Sequence, residues 1–209
     1  MINKIIFDEV NLSFNELHLF KNLSLEIHAG KVIAITGRNG SGKSTFLKLA
    51  GQFIPPDSGT VTAFEHETAI KKMDFRKNIA AVAPTMNLYE RMTPLENLKF
   101  FTQFRDVILI EEYIYKIFDR LGLDANCKDK FVSSFSTGMK QRLKFAILLT
   151  VDADVWLLDE PCSNLDSAGK TIVFNEIQRA AAEGKIVLIA TNDKEEEELA
   201  NEIINLPTH

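Results

Sequence analysis

Three short runs in the chain are apolar up to a polar last residue: VIAIT (32–36), VWLLD (155–159) and IVLIAT (186–191). Such runs suit strands covered on both faces, as in a parallel sheet. Longer stretches with helical spacing lie between them. One follows the glycine-rich stretch after residue 36 and runs to about Ala50, and SAGKTIVFNEIQRAAAEG (167–184) closes on Gly184. The first strands, KIIFDEVNLSF (4–14) and LSLEI (23–27), are β-branched, aromatic and alternating, and they precede the first apolar run. Further short strands are expected near Val61, over 79–83 and over 202–206.

The pattern changes between residues 85 and 150, where no strand signal appears. Thr93-Pro94-Leu95-Glu96 supplies a cap, a first-position proline and a capping-box glutamate. A helix over 95–104 should follow, then one over 107–122 ending at Gly122, then one from Ser136 through 149. The predicted fold is α/β: a mostly parallel sheet whose core the stretch GRNGSGKST (37–45) marks as a phosphate-loop NTPase, with an antiparallel β subdomain and an inserted helical lobe. The expected units are 1–84 and 151–209 for the core and 85–150 for the lobe. The run KEEEE (194–198) reads as a solvated helix face.

Composition narrows the function class. The 209 residues carry a net charge of −5 with a pI near 5.5, which argues against broad attraction to nucleic acid or acidic lipid. Cys127 and Cys162 form no metal-spaced pair, and a reducing cytosolic compartment is the simple expectation. No apolar stretch approaches the roughly 20 residues needed to cross a bilayer, and charges interrupt the region where a signal peptide's apolar core would lie. His18, His28, His66 and His209 are scattered and read as surface residues.

The chemistry concentrates in four segments. GRNGSGKST (37–45) follows an apolar strand and opens a helix. Its backbone amides, from Gly37, Arg38, Asn39, Gly40, Ser41 and Gly42 onward, can cradle phosphate oxygens at a positive helix end. Lys43 adds a point charge for the β- and γ-phosphates, Ser44 a hydroxyl for Mg²⁺, and Thr45 a contact for the α-phosphate. Asp159 and Glu160 end an apolar strand at the edge where such sheets bind ligands. Asp159 is assigned to the Mg²⁺ shell and Glu160 to the attacking water, as metal-assisted phosphoryl hydrolysis requires. FSTGMKQR (135–142) offers a second helix start, with Ser136 as cap and Thr137-Gly138 leaving the backbone bare. Taken alone, it reads first as an ordinary capped helix.

In order and spacing, GRNGSGKST, FSTGMKQR, WLLDEP and SNLD (163–166) resemble the ATPase cassette of the ABC family, and the resemblance covers nearly the whole chain. FSTGMKQR is a variant of that family's signature, and SNLD matches its D-loop. The resemblance implies a head-to-tail dimer with two ATP molecules between the phosphate loop of one subunit and the signature helix of the other. It also implies a separate transmembrane subunit and a place at the inner face of the cell membrane. Phe14 falls where the family stacks an aromatic ring on adenine, though a strand-packing role suits it too.

Two positions depart from the family. Pro84 stands where the family has a glutamine. Asn192 replaces a histidine that contacts the γ-phosphate; it can donate a hydrogen bond but carries no charge. The expected function is therefore an ATP-binding and ATP-hydrolysing transporter subunit, with retained hydrolysis and slow hydrolysis both open. A nucleotide-gated clamp with little turnover and a soluble non-transport ABC ATPase are the alternatives. Loop 84–92, with the helix that starts after it, is expected either to receive the membrane partner or to pack the lobe.

Overall fold

The structure, a computed structural model, describes residues 1–14, 17–103, 105 and 107–207, leaving aside the side chain of Ala125. Strands β1 (Lys4–Phe14), β2 (Leu17–His28), β4 (Ser58–Glu65) and β5 (Thr68–Ala69) form an antiparallel sheet in the order β2-β1-β4-β5. The second sheet is parallel at every pairing. It contains β3 (Lys31–Thr36), β6 (Ile79–Val82), β7 (Val155–Asp159), β8 (Ile186–Ala190) and β9 (Glu202–Asn205), in the order β6-β7-β8-β3-β9.

The apolar runs behave as a doubly covered sheet demands. Val155 and Leu157 of β7 enter one core with Phe7, Phe46 and Ala63, from the antiparallel sheet and from α1 (Lys43–Ala50). Trp156 and Leu158 enter the other core. That core includes α3 (Pro94–Thr102), α4 (Glu111–Arg120), α5 (Thr137–Val151) and α6 (Ser167–Ala182). Successive residues of one strand thus face opposite layers. Among the described residues no helix is long and apolar enough to cross a membrane.

The start of α3 is the capping box its sequence spells. Thr93 Oγ1 accepts from the Glu96 amide at 3.3 Å, and Glu96 Oε2 accepts from the Thr93 amide at 2.8 Å. Helix α4 ends as expected: Gly122 takes φ 63°, its amide donates to Asp119 and the Leu123 amide to Phe118.

Two expectations needed correction, and one helix was not foreseen. Helix α4 begins at Glu111 rather than at 107, because Val107, Ile108 and Ile110 are β-branched while Glu111 and Glu112 favour a helix start. A short helix, α2 (Lys72–Lys77), buries only Phe75 and has no periodicity long enough to announce it. The KEEEE run is helix α7 (Lys194–Glu198), but it is not wholly solvated: Glu196 is 2% exposed. His18, His28 and His66 are exposed, and His209 lies outside the described residues.

Candidate nucleotide site

The strand order explains why distant segments meet. Ala190 of β8 stands opposite both Ile35 of β3 and Asp159 of β7. The chain therefore leaves β3 into Gly37, β7 into Glu160 and β8 into Asn192 at one sheet edge, the C-terminal edge where parallel sheets bind ligands.

The phosphate loop is shaped for close approach. A Cβ on Gly37 would lie 2.6 Å from Ser41 Oγ. Gly42 caps α1 at φ 97°, a conformation that favours glycine, and no side chain caps the helix start. The first amides of α1 are thus left to an external acceptor. Lys43 is 8% exposed, and its Nζ donates to the carbonyls of Gly37 at 2.8 Å and Arg38 at 3.2 Å. The Ser41 hydroxyl is buried without a hydrogen-bond partner. A buried, unsatisfied hydroxyl inside a loop of open amides fits an anionic ligand.

Phe14, Asp159 and Glu160 line the same cavity, about 350 Å³, as Asn39, Gly40, Gly42, Lys43, Ser44 and Thr45. Phe14 is 52% exposed. A neighbouring cavity of about 360 Å³ opens beside Ala83 and Thr85, on either side of Pro84. Ser44 and Asp159 are the residues common to both linings. One hydroxyl and one carboxylate suit Mg²⁺, which completes its shell with water and phosphate oxygens. Among the described residues no cluster of three or more His, Cys, Asp or Glu forms a self-sufficient metal site.

Glu160 stands at φ 48°, an uncommon conformation for a side-chain-bearing residue, and its amide donates to Ala190 at 2.9 Å. Asn192 reaches back to the loop, its Nδ2 donating to Asn39 Oδ1 at 2.7 Å. That contact was not evident from sequence, since 153 residues separate the two.

The signature segment lies elsewhere. Ser136 caps α5 by accepting from the Met139 amide at 3.2 Å, and Ser136 and Thr137 are both exposed. A Cβ on Gly138 would sit 3.4 Å from the Asn164 carbonyl of the SNLD segment. None of Ser136, Thr137 and Gly138 is among the described residues lining the phosphate-loop cavity. Thr137 instead lines a cavity of about 210 Å³ with Pro84, Asn87, Glu90 and Asn164. In loop 84–92, Met86 and Leu88 pack on the core while Pro84, Asn87, Tyr89 and Glu90 are exposed, so the loop both packs and presents a surface.

Comparison with known proteins identifies the family and the fold. A profile of the ABC transporter family matches residues 20–163. The chain is 33% identical to an uncharacterized ABC transporter ATP-binding protein, YdbJ of Bacillus subtilis, over 89% of this chain and 60% of that protein. It is 31% identical to the ABC transporter ATP-binding protein NatA of the same organism, over 84% of this chain and 72% of that one. The fold superposes with a TM-score of 0.82 on the ATP-binding cassette MJ0796, solved as a dimer in a post-hydrolysis state with ADP and Pi. That match has 23% identity and covers 97% of this chain and 94% of the other. The chain thus spans only part of the length of YdbJ, while the family match extends over most of its own residues. By that match and by its fold, the chain belongs to the ABC transporter family.

Proposed function

We propose that the chain is the ATP-binding and ATP-hydrolysing subunit of a transporter, paired with a second cassette and docked on a separate transmembrane subunit at the cytoplasmic face. The observation that carries this reading is the single cavity shared by Phe14, the phosphate loop, Asp159 and Glu160. The loop amides and Lys43 would bind the phosphates, and Phe14 the base. Ser44 and Asp159 would hold Mg²⁺, which supplies charge neutralisation when bound. Glu160 orients water and accepts its proton. Asn192 offers a neutral hydrogen bond from the side of Asn39. The exposed face at Ser136–Gly138 supplies donors to a nucleotide held by a partner cassette.

The test is ATP binding and steady-state hydrolysis by the purified chain and by Glu160→Gln. The variant should keep ATP affinity, lose about a hundredfold or more in turnover, and accumulate as a dimer in ATP and Mg²⁺. Unchanged turnover would remove Glu160 from the reaction.

Asn192 and Pro84 favour a second reading, in which closure on ATP dominates and turnover is slow. Proline has no side-chain amide with which to orient water, and asparagine supplies no positive charge. Single-turnover hydrolysis separates the two readings.

A further inference from the structure

Glu196 is a carboxylate with no assigned role and almost no access to solvent, being 2% exposed. Its Oε1 accepts from the Cys162 amide at 2.9 Å, and its Oε2 is buried without a partner. A buried carboxyl is costly unless its contacts fix something the fold needs. What it contacts is the turn that follows Glu160.

Backbone groups of that turn are held from several parts of the molecule as well as within the turn itself. The Glu160 amide donates to Ala190 at the end of β8. The Pro161 carbonyl accepts from Gln141 Nε2 of α5, the helix that begins at the signature. The Cys162 amide is held by Glu196, and the Ser163 amide returns to the Glu160 carbonyl at 3.1 Å. The segment that carries Glu196 also carries Asn192. It is fastened to α6 by Lys170, whose Nζ meets Asp193 at 2.7 Å and Glu195 at 2.6 Å. Glu160 itself sits at φ 48°, a conformation that persists only when its surroundings hold it.

We propose that Glu196 is a positioning residue for hydrolysis: by holding the Cys162 amide it fixes the turn that presents Glu160, and joins that turn to the segment bearing Asn192. A shift in the Asn192 segment, as when a γ-phosphate is gained or lost, would then reach Glu160 and the SNLD segment through one buried side chain. Burial pushes the Glu196 carboxyl above the usual carboxylate range, so a neutral group can fill the position. The inference rests on the ATPase reading above, because the presented group is assigned there to water.

The experiment uses the full chain with Glu196→Ala and Glu196→Gln. Glutamine keeps an acceptor for the Cys162 amide and alanine does not. The alanine variant should lose on the order of tenfold in kcat with the KM for ATP within about twofold, since the displaced group orients water rather than nucleotide. Glutamine should restore kcat to within about twofold of the parent. Amide hydrogen exchange at Cys162 gives a second readout, independent of turnover: faster in Glu196→Ala, slow in the parent and in Glu196→Gln. Parent-like kcat in Glu196→Ala, an equal fall in both variants, or unchanged exchange at Cys162 overturns the inference. If alanine prevents folding, the glutamine variant still decides it, because a large kcat loss there overturns it equally. A parent that binds ATP but does not hydrolyse it overturns the ATPase reading instead, and exchange then decides whether the brace exists.

Discussion

The phosphate-loop pocket and the signature face are both built at helix starts, yet they end differently. At the start of α1 no side chain caps the helix, a serine hydroxyl is buried without a partner, and side chains from β1 and β7 share the cavity. At the start of α5 Ser136 caps its own helix, Ser136 and Thr137 are exposed with Gly138 half-buried, and the neighbours are the SNLD segment and the loop at Pro84. The first region gathers a ring, a glycine loop and two acids around one cavity from a single chain. Among the described residues, the cavity that Thr137 lines holds one acid, Glu90, and no aromatic ring. A helix start becomes a site through what the fold brings to it, and the difference is what the proposed sharing of a nucleotide between two chains would require.

The largest effect should come from striking the first region. Lys43→Ala removes a charge from a largely buried position, and a hydrogen bond to a charged group contributes about 1.5–3 kcal/mol. ATP affinity should fall by roughly 10- to 150-fold. Gly138→Asp, by contrast, should leave the affinity of a single chain within about twofold and block turnover, since its carboxylate would meet a γ-phosphate only across the dimer. Equilibrium binding by fluorescent ATP analogue separates the two. An equal loss of affinity in both variants would erase the distinction between the regions.

A smaller effect belongs to Asn192, which stands at the rim of the first region against Asn39. Asn192→His should raise single-turnover hydrolysis by up to about tenfold if the missing charge limits the rate, as 1.4 kcal/mol corresponds to one decade. A neutral or harmful substitution, in a parent that already turns over quickly, would mean that the Asn39–Asn192 pair serves in place of histidine.

The smallest effect is on stability. Burial holds the Glu196 carboxyl high, with the nearby Asp193 charge adding to the rise and the hydrogen bond from the Cys162 amide opposing it. The folded chain therefore binds that proton more readily than the unfolded one, and stability falls as pH rises through the raised value. Melting curves of the parent and Glu196→Gln should lie close together in acid and separate at higher pH, with the glutamine variant higher. A constant separation across pH would mean that the carboxyl does not titrate in this window.

The sequence made the first region legible because its chemistry is local. Gly37 to Thr45 form one contiguous segment between a strand and a helix, and Asp159-Glu160 close another strand. Adjacent apolar runs placed both at the same kind of sheet edge. Thr93, Pro94 and Glu96 were legible for the same reason, since a capping box is complete within four residues. What escaped depends on tertiary packing. Asn39 meets Asn192 only because β8 lies beside β3. Glu196 turns inward in a run of acids because its helix lies under the turn at Cys162. The available signal was its spacing, three and four residues before the half-buried Leu199 and Ala200. The late start of α4 reflects a contest between β-branched residues and an acidic first turn that periodicity alone does not decide.

The most direct test of the account mixes two damaged subunits. Lys43→Ala destroys the phosphate-loop pocket of one chain and Gly138→Asp the signature face of the other. If each nucleotide is shared between the two regions, a mixed dimer of these chains has one composite site carrying both lesions and one carrying neither. Hydrolysis should then exceed that of either single-variant dimer, measured with the heterodimer isolated by two affinity tags. Activity no higher than that of the two homodimers would contradict the account and return the signature face to the role of an ordinary capped helix.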